Sequence, residues 1–220
     1  MHILKNLFPK FRRTNRLDKT RKNLKNVLMS SIYLVLDTET TGLNPLRNNL
    51  LQIAALALDS KLNILATFNQ DICPPVGTEF CPISSKIHNF SAERIQNGRD
   101  YQEVCDEFVT FVKTNFTDKP VIIGQFYPFD YAFLNIALSK CDFFKDNLLG
   151  NNFIDTKALV NFANLKANLS DKIRPFANTS LSAPGGLKDF FELKNFASHD
   201  ALGDCHATLE LLKKLIDFGI

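Results

Sequence analysis

The stretch SIYLVLDTETTGL, residues 31–43, decides how this chain is read. Ser31–Leu36 is a short apolar run that stops at Asp37, the pattern of a buried strand reaching its polar end. Asp37 and Glu39 stand two residues apart, and the period of two along a strand points both side chains to one face. Carboxylates held side by side repel each other unless a cation lies between them, and hard divalent ions with oxygen ligands are the natural partner. A bare D-x-E is usually a pair of exposed acids at a strand end. Here an apolar run precedes it and the turn Thr41-Gly42-Leu43-Asn44-Pro45 follows at once. The pair therefore sits at the carboxyl end of a strand, where a sheet opens into its crevice.

Outward from this stretch, Leu50–Leu58 and Leu62–Gln70 are two further strand-like runs separated by Asp59-Ser60-Lys61, which predicts a hairpin. From Ser91 the period changes. Val104, Phe108, Phe111 and Val112 recur at helical spacing between Tyr101 and Asn115. Pro120–Gly124 reads as a buried strand, Pro128–Ser139 as a helix with proline at its start, and Phe153-Ile154 as the end of a short strand. One helix begins near Thr156, and the last runs from about Asp200 to Asp217. Strands first and alternating units later predict an α/β fold, a mixed sheet flanked by helices forming one domain over residues 31–220.

The composition is that of an ordinary globular chain, with 45% hydrophobic and 22% charged residues, which excludes a disordered polymer. No window approaches 18 consecutive apolar residues, so no transmembrane segment is expected. Five scattered cysteines without a C-x-x-C argue against a disulfide framework or a cysteine zinc site, and a cytoplasmic location is the default expectation. The net charge of +3 conceals an asymmetry. Residues 1–30 hold nine of the 26 basic groups against Asp18 alone, a basic N-terminal extension of +8 on a body of −5. The extension lacks the apolar core of a secretory signal. Three readings stay open: it tracks nucleic-acid phosphates, it lies on an anionic membrane surface, or it is a solvated tail or organelle-targeting segment.

Two more segments carry acidic or titratable groups. Asp130 falls in the first turn of the helix that follows the PVIIG strand, a position the helix dipole favours. His199 precedes Asp204 by five residues at the start of the last helix. On a continuous helix the two would diverge by about 140°, so they converge only if His199 lies in the loop before it.

Taken in order, these segments resemble the DnaQ-like, DEDDh group of 3′→5′ exonucleases, which includes polymerase proofreading subunits and RNase T and has a ribonuclease H-like fold. The first motif matches as Asp37-Thr38-Glu39-Thr40-Thr41-Gly42-Leu43, the second as Phe129-Asp130-Tyr131-Ala132-Phe133-Leu134, and the third as His199-Asp200-Ala201-Leu202-Gly203-Asp204. The match covers roughly residues 32–216, leaving the basic extension outside, and implies a mixed five-stranded sheet. It implies that Asp37, Glu39, Asp130 and Asp204 hold two Mg²⁺ or Mn²⁺ ions. His199 would be the general base that draws the proton from water. Thr38, Thr41 and the apolar wedge Leu43 would contact the terminal nucleotide. His88, in the Ile87-His88-Asn89-Phe90 turn, would line its pocket or merely cap the turn. Gln125 and Phe126 depart from the family's usual His-Asn before Asp130, which bears on substrate contacts or local strand geometry. Gln52 stands where many relatives carry Glu, which bears on a contact to the terminal sugar.

The activity implied is metal-dependent removal of nucleoside 5′-monophosphates from single-stranded or frayed 3′ ends, DNA more than RNA. The partners implied are a single-stranded 3′ end, a DNA polymerase subunit if the role is proofreading, and nucleic acid for the extension. No polymerase domain and no clamp-binding tail accompany the domain, which favours a stand-alone role. A non-catalytic nucleic-acid-binding or protein-interaction adaptor on the same fold is the alternative, and it has no need of all five site residues.

Overall fold

The computed structural model describes residues 31–87, 90–139, 152–194 and 199–220, so the basic extension and His88 lie outside the described residues. In chain order the elements are β1 (Tyr33–Thr40), β2 (Leu50–Leu58), β3 (Ile64–Cys73), α1 (Pro82–Ile87), α2 (Ala92–Gln96) and β4 (Arg99–Asp100). There follow α3 (Tyr101–Asn115), β5 (Val121–Gly124), α4 (Pro128–Ala137), β6 (Phe153–Asp155), α5 (Thr156–Asn168), α6 (Leu187–Phe190) and α7 (Ala201–Asp217). The sheet order is β4-β3-β2-β1-β5-β6. β1 is central, antiparallel to β2 with Asp37 opposite Ala54, and parallel to β5 with Val35 opposite Ile123. β2 and β3 form the expected antiparallel hairpin, and β6 extends the sheet parallel to β5. The mixed sheet and its flanking helices are those the sequence predicts. The sixth strand is the two-residue β4, too short to carry a periodic pattern.

Every residue of β2 is buried, because both faces of the sheet are covered. On one face Leu34, Leu36, Ile53 and Ala55 pack against Val104, Phe108 and Val112 of α3 and Phe133 and Leu134 of α4. On the other, Val35, Ala54, Leu56 and Ile123 meet Ala201, Cys205, Leu209 and Leu212 of α7. Each fully buried leucine or phenylalanine in these layers stabilises the fold by about 1.5–3 kcal/mol. Beyond α7, Val160, Phe176, Leu187, Leu211 and Leu215 form a third cluster. Among the described residues, Cys73, Cys81, Cys105 and Cys205 form no disulfide. No described helix is long and apolar enough to cross a membrane.

This layering determines where the acids go. Val35 faces α7, so by the period of two Asp37 and Glu39 face α7 as well, while Leu36 and Thr38 face α4. Asp155 fixes the neighbouring corner. Its buried carboxylate caps α5 by accepting from the N–H groups of Lys157 (2.9 Å) and Ala158 (3.1 Å). It also accepts from Phe126 (3.2 Å) and Tyr127 (3.0 Å) at the end of β5, so it anchors the entry into α4. Replacing it with alanine removes the cap and leaves buried donors unpaired, so Asp155→Ala is expected to cost about 2–4 kcal/mol. Urea denaturation checks this: the midpoint falls with an unchanged slope.

Candidate active site

Asp37 and Glu39 leave the end of β1 toward the first turn of α7, which carries Asp204. One carboxylate oxygen of each comes within 4.8 Å of the others. Asp130 reaches the same place from α4 on the opposite face of the sheet, 4% exposed. Its Oδ1 accepts from the Thr38 N–H (2.9 Å) and the Thr38 hydroxyl (2.7 Å). Thr38 thus connects the two faces, and Asp130 stands beside the trio rather than within it.

The crowding raises proton affinities. Burial, and then the charges of Asp130, Asp204 and Glu39, holds the Asp37 carboxyl well above the usual carboxylate range. Burial, followed by Asp204 and Asp130, pushes Glu39 up to about 8. Burial also raises Asp130, against the two hydrogen bonds from Thr38 that lower it. Closely spaced, oxygen-only carboxylates that resist ionising together are a donor set suited to hard divalent cations.

His199 lies in the loop before α7 with a positive φ of 60°, and its N–H donates to Asp204 Oδ2 at 3.2 Å. The left-handed backbone lets it meet Asp204 despite the five-residue separation. Histidine, Asp37 and Asp204 line a crevice of about 380 Å³ together with Gln125, Phe126, Lys157 and the segment Asn178–Ser182. Phe126 is 51% exposed and also left-handed, with φ of 65°. Asparagine tolerates that conformation far better than a bulky residue, so the Asn-to-Phe departure changes local strain as well as chemistry. The Lys157 ammonium lies 4.6 Å from the Phe126 ring centroid. Gln125 is used structurally: its Oε1 accepts from the Thr156 hydroxyl and its Nε2 donates to Thr179 O at 3.3 Å.

Other expected contacts find partners inside the protein. The Thr41 hydroxyl donates to Glu79 O (2.8 Å), its N–H to Asn49 O (2.8 Å), and both Thr38 donors go to Asp130. Leu43 projects from the turn, 67% exposed. Gln52 likewise finds its partners inside the protein. It is 1% exposed, its Oε1 accepts from Ala201 N (2.8 Å), and its Nε2 donates to Asn69 Oδ1 (3.0 Å) and Asp200 Oδ1 (3.1 Å).

Three contributors escape a reading by motif. Asp200, which looks like an ordinary helix residue, caps α7 by accepting from Gly203 N at 3.3 Å. Arg94 of α2 donates to Asp71 (2.6 and 2.8 Å) and to Asp200 (3.1 Å), and its guanidinium sits 3.6 Å from the Phe90 ring centroid. Lys188 of α6 pairs with Asp204 Oδ1 at 2.8 Å. Arg94 and Lys188 belong to no spaced motif and Asp200 fills only an unspecified position of one, so only the tertiary contacts reveal their roles.

The RNase T exonuclease family matches this chain over residues 34–212, most of its length. The chain belongs to this exonuclease family. The DNA polymerase III subunit epsilon of Treponema pallidum is 31% identical over 127 residues, 58% of this chain and 54% of that protein. The PolC-type DNA polymerase III of Thermotoga petrophila is 27% identical over 192 residues, 86% of this chain and 12% of the polymerase. The PolC-type enzyme of Streptococcus pneumoniae is matched over 7% of its length, so the chain spans a small part of these polymerases. Among solved structures, the nuclease domain of 3′hExo, a DEDDh family member bound to rAMP, superposes with a TM-score of 0.60 at 14% identity. That match covers 85% of this chain and 92% of that one. Escherichia coli Exonuclease I in complex with a dT13 oligonucleotide gives 0.63 at 18% identity, covering 86% and 43%. These likenesses establish the ribonuclease H-like fold of the family for this chain.

The raised carboxyls have a consequence for stability. A group that holds its proton more tightly in the folded chain than in the unfolded one stabilises the fold less as pH rises between its two pKa values. For Glu39 that interval runs from 4.5 to about 8. The metal-free family member is therefore expected to lose stability as pH rises through this window, and Mn²⁺ should flatten the decline because cation binding displaces the protons. Thermal melts in EDTA and in excess Mn²⁺ between pH 5 and 8.5 measure it. Asp37→Asn, which removes one of the repelling charges, should melt higher in EDTA and with a shallower pH dependence.

Proposed function

We propose that residues 31–220 form a metal-dependent 3′→5′ exonuclease domain, preceded by a basic extension over residues 1–30. It removes nucleoside 5′-monophosphates from single-stranded or frayed 3′ ends, of DNA more than of RNA. The observation that carries this reading is the convergence of Asp37, Glu39 and Asp204 within 4.8 Å in a chain of the exonuclease family. Asp37, Glu39, Asp130 and Asp204 are the residues that would hold two Mg²⁺ or Mn²⁺ ions, Asp130 through the carboxylate oxygen not engaged by Thr38. Such ions supply Lewis acidity at the scissile phosphate, for the attacking water and for the departing 3′-oxygen.

The protein's own residues do the rest. Neutral His199 takes the proton of the attacking water on a ring nitrogen. The new bond joins water oxygen to phosphorus while the bond to the 3′-oxygen of the preceding nucleotide breaks, that oxygen taking a proton from solvent, giving a 5′-mononucleotide and a strand shortened by one with a free 3′-hydroxyl. Thr38 and Thr41 hold the site's shape from within. Leu43 is the apolar wedge against the terminal base. On the opposite flank, beyond β5, the exposed Phe126 ring and Lys157 offer a stacking face and a positive charge to the strand. The body's surplus of acids attracts phosphates poorly, and the extension supplies the missing positive charge. The polymerase names of the relatives point to a DNA polymerase subunit as a partner for proofreading.

The test uses 5′-labelled single-stranded DNA and RNA with Mg²⁺, Mn²⁺ or EDTA. A ladder shrinking one nucleotide at a time from the 3′ end is expected, abolished by EDTA and by Asp37→Ala, with His199→Gln slower by about 10²–10⁴-fold. Intact strands under every condition, from folded protein, would leave the adaptor reading. Replacing the basic residues of the extension with glutamine should weaken binding and flatten its salt dependence.

A further inference from the structure

Lys188 sits in an unusual place for a lysine. Its side chain is 11% exposed, and its Nζ lies 2.8 Å from Asp204 Oδ1, an oxygen of the carboxylate trio. The backbone that presents it is fixed. Leu187 N donates to Ser180 O (2.8 Å), Lys188 N donates to Leu181 O (3.0 Å), and Leu187 is fully buried in the cluster beyond α7. The other Asp204 oxygen accepts from His199 N. Both oxygens of one expected ligand are therefore engaged by the protein, one of them by a full positive charge. The same ammonium is close enough to Asp37 to counter part of the effect of burial there.

We propose that Lys188 is a built-in counter-cation that holds Asp204 in the metal-free enzyme and gives up this oxygen when a divalent ion arrives. The inference rests on the metal-dependent reading above. Its physical basis is that carboxylates this close repel in a poorly solvated crevice, and that a buried charge stripped of its partner is strongly destabilising. A hard cation binds a carboxylate oxygen at about 2.0–2.1 Å. An ammonium on the same oxygen is repelled by that cation and competes with it for the ligand. Lys188 thereby keeps the empty site assembled and lowers the affinity of the first ion.

Calorimetry with Mn²⁺ at pH 8 and thermal melts in EDTA test the idea on the full chain. Lys188→Met keeps most of the side-chain volume without the charge. It is expected to melt about 5 °C lower in EDTA, to bind Mn²⁺ about tenfold more tightly, and to gain more in melting temperature from Mn²⁺ than the wild type. Lys188→Arg keeps the charge and should stay near wild type in both readouts. Lys188→Gln serves if the methionine variant does not fold. Unchanged melting in EDTA, or Mn²⁺ affinity equal to or weaker than wild type, would overturn the proposal. Normal Mn²⁺ binding by a wild type that degrades no nucleic acid would overturn only the exonuclease reading, whereas a wild type that binds no Mn²⁺ would overturn both.

Discussion

The repulsion among the carboxylates at the carboxyl end of β1 is the constraint that the surrounding structure answers. Asp37 and Glu39 share a face because a strand repeats every two residues, and Asp204 joins them from the first turn of α7. Left to themselves these groups would splay apart or stay protonated. The apolar layers prevent the first. β1 is paired on both edges, and α7 is fixed to the sheet through Val35, Ala54, Cys205 and Leu209. Thr38 and Lys188 moderate the second, by donating to Asp130 and Asp204.

Around that centre, polar groups bonded to one another build the frame. Gln52, Asp200, Arg94 and Asp71 form one chain of hydrogen bonds and ion pairs from β2 and β3 to the N-terminus of α7. Its effect is to fix the point at which α7 begins, and hence where His199 and Asp204 stand relative to β1. Asp155 does the same for the entry into α4 and for Asp130. The separation of tasks is physical: groups whose donors and acceptors are all used internally are rigid, and rigid supports are what a precisely placed acidic centre requires.

Two residues of the crevice, Phe126 and His199, have left-handed backbones. For a residue with a Cβ this costs about 1–2 kcal/mol. The surrounding contacts hold both in place: Asp155 accepts from the Phe126 N–H, and Asp204 accepts from the His199 N–H. Strain located where side chains must face a ligand is what a functional crevice, rather than a storage of misfit, would show.

Much of this protein was legible in its sequence. The apolar runs and spacing located β2, α3 and α7 nearly to the residue, because burial in a sheet or helix leaves a trace in the residue types, whereas the run Ser31–Leu36 marked only the first part of β1, which continues to Thr40. Asp37 and Glu39 could be assigned to one face for the same reason, and His199 could be placed before its helix because only there could it meet Asp204. The two-residue β4 left no such trace. Nor did the sequence show that Asp130 would approach from the opposite face, its Oδ1 already held by Thr38. Arg94 and Lys188 stand 106 and 16 residues from the acids of α7 that they pair with. Such pairings have no period or fixed spacing, since they arise only when the packing of distant segments leaves a charge in need of a partner. Only the tertiary structure decided them.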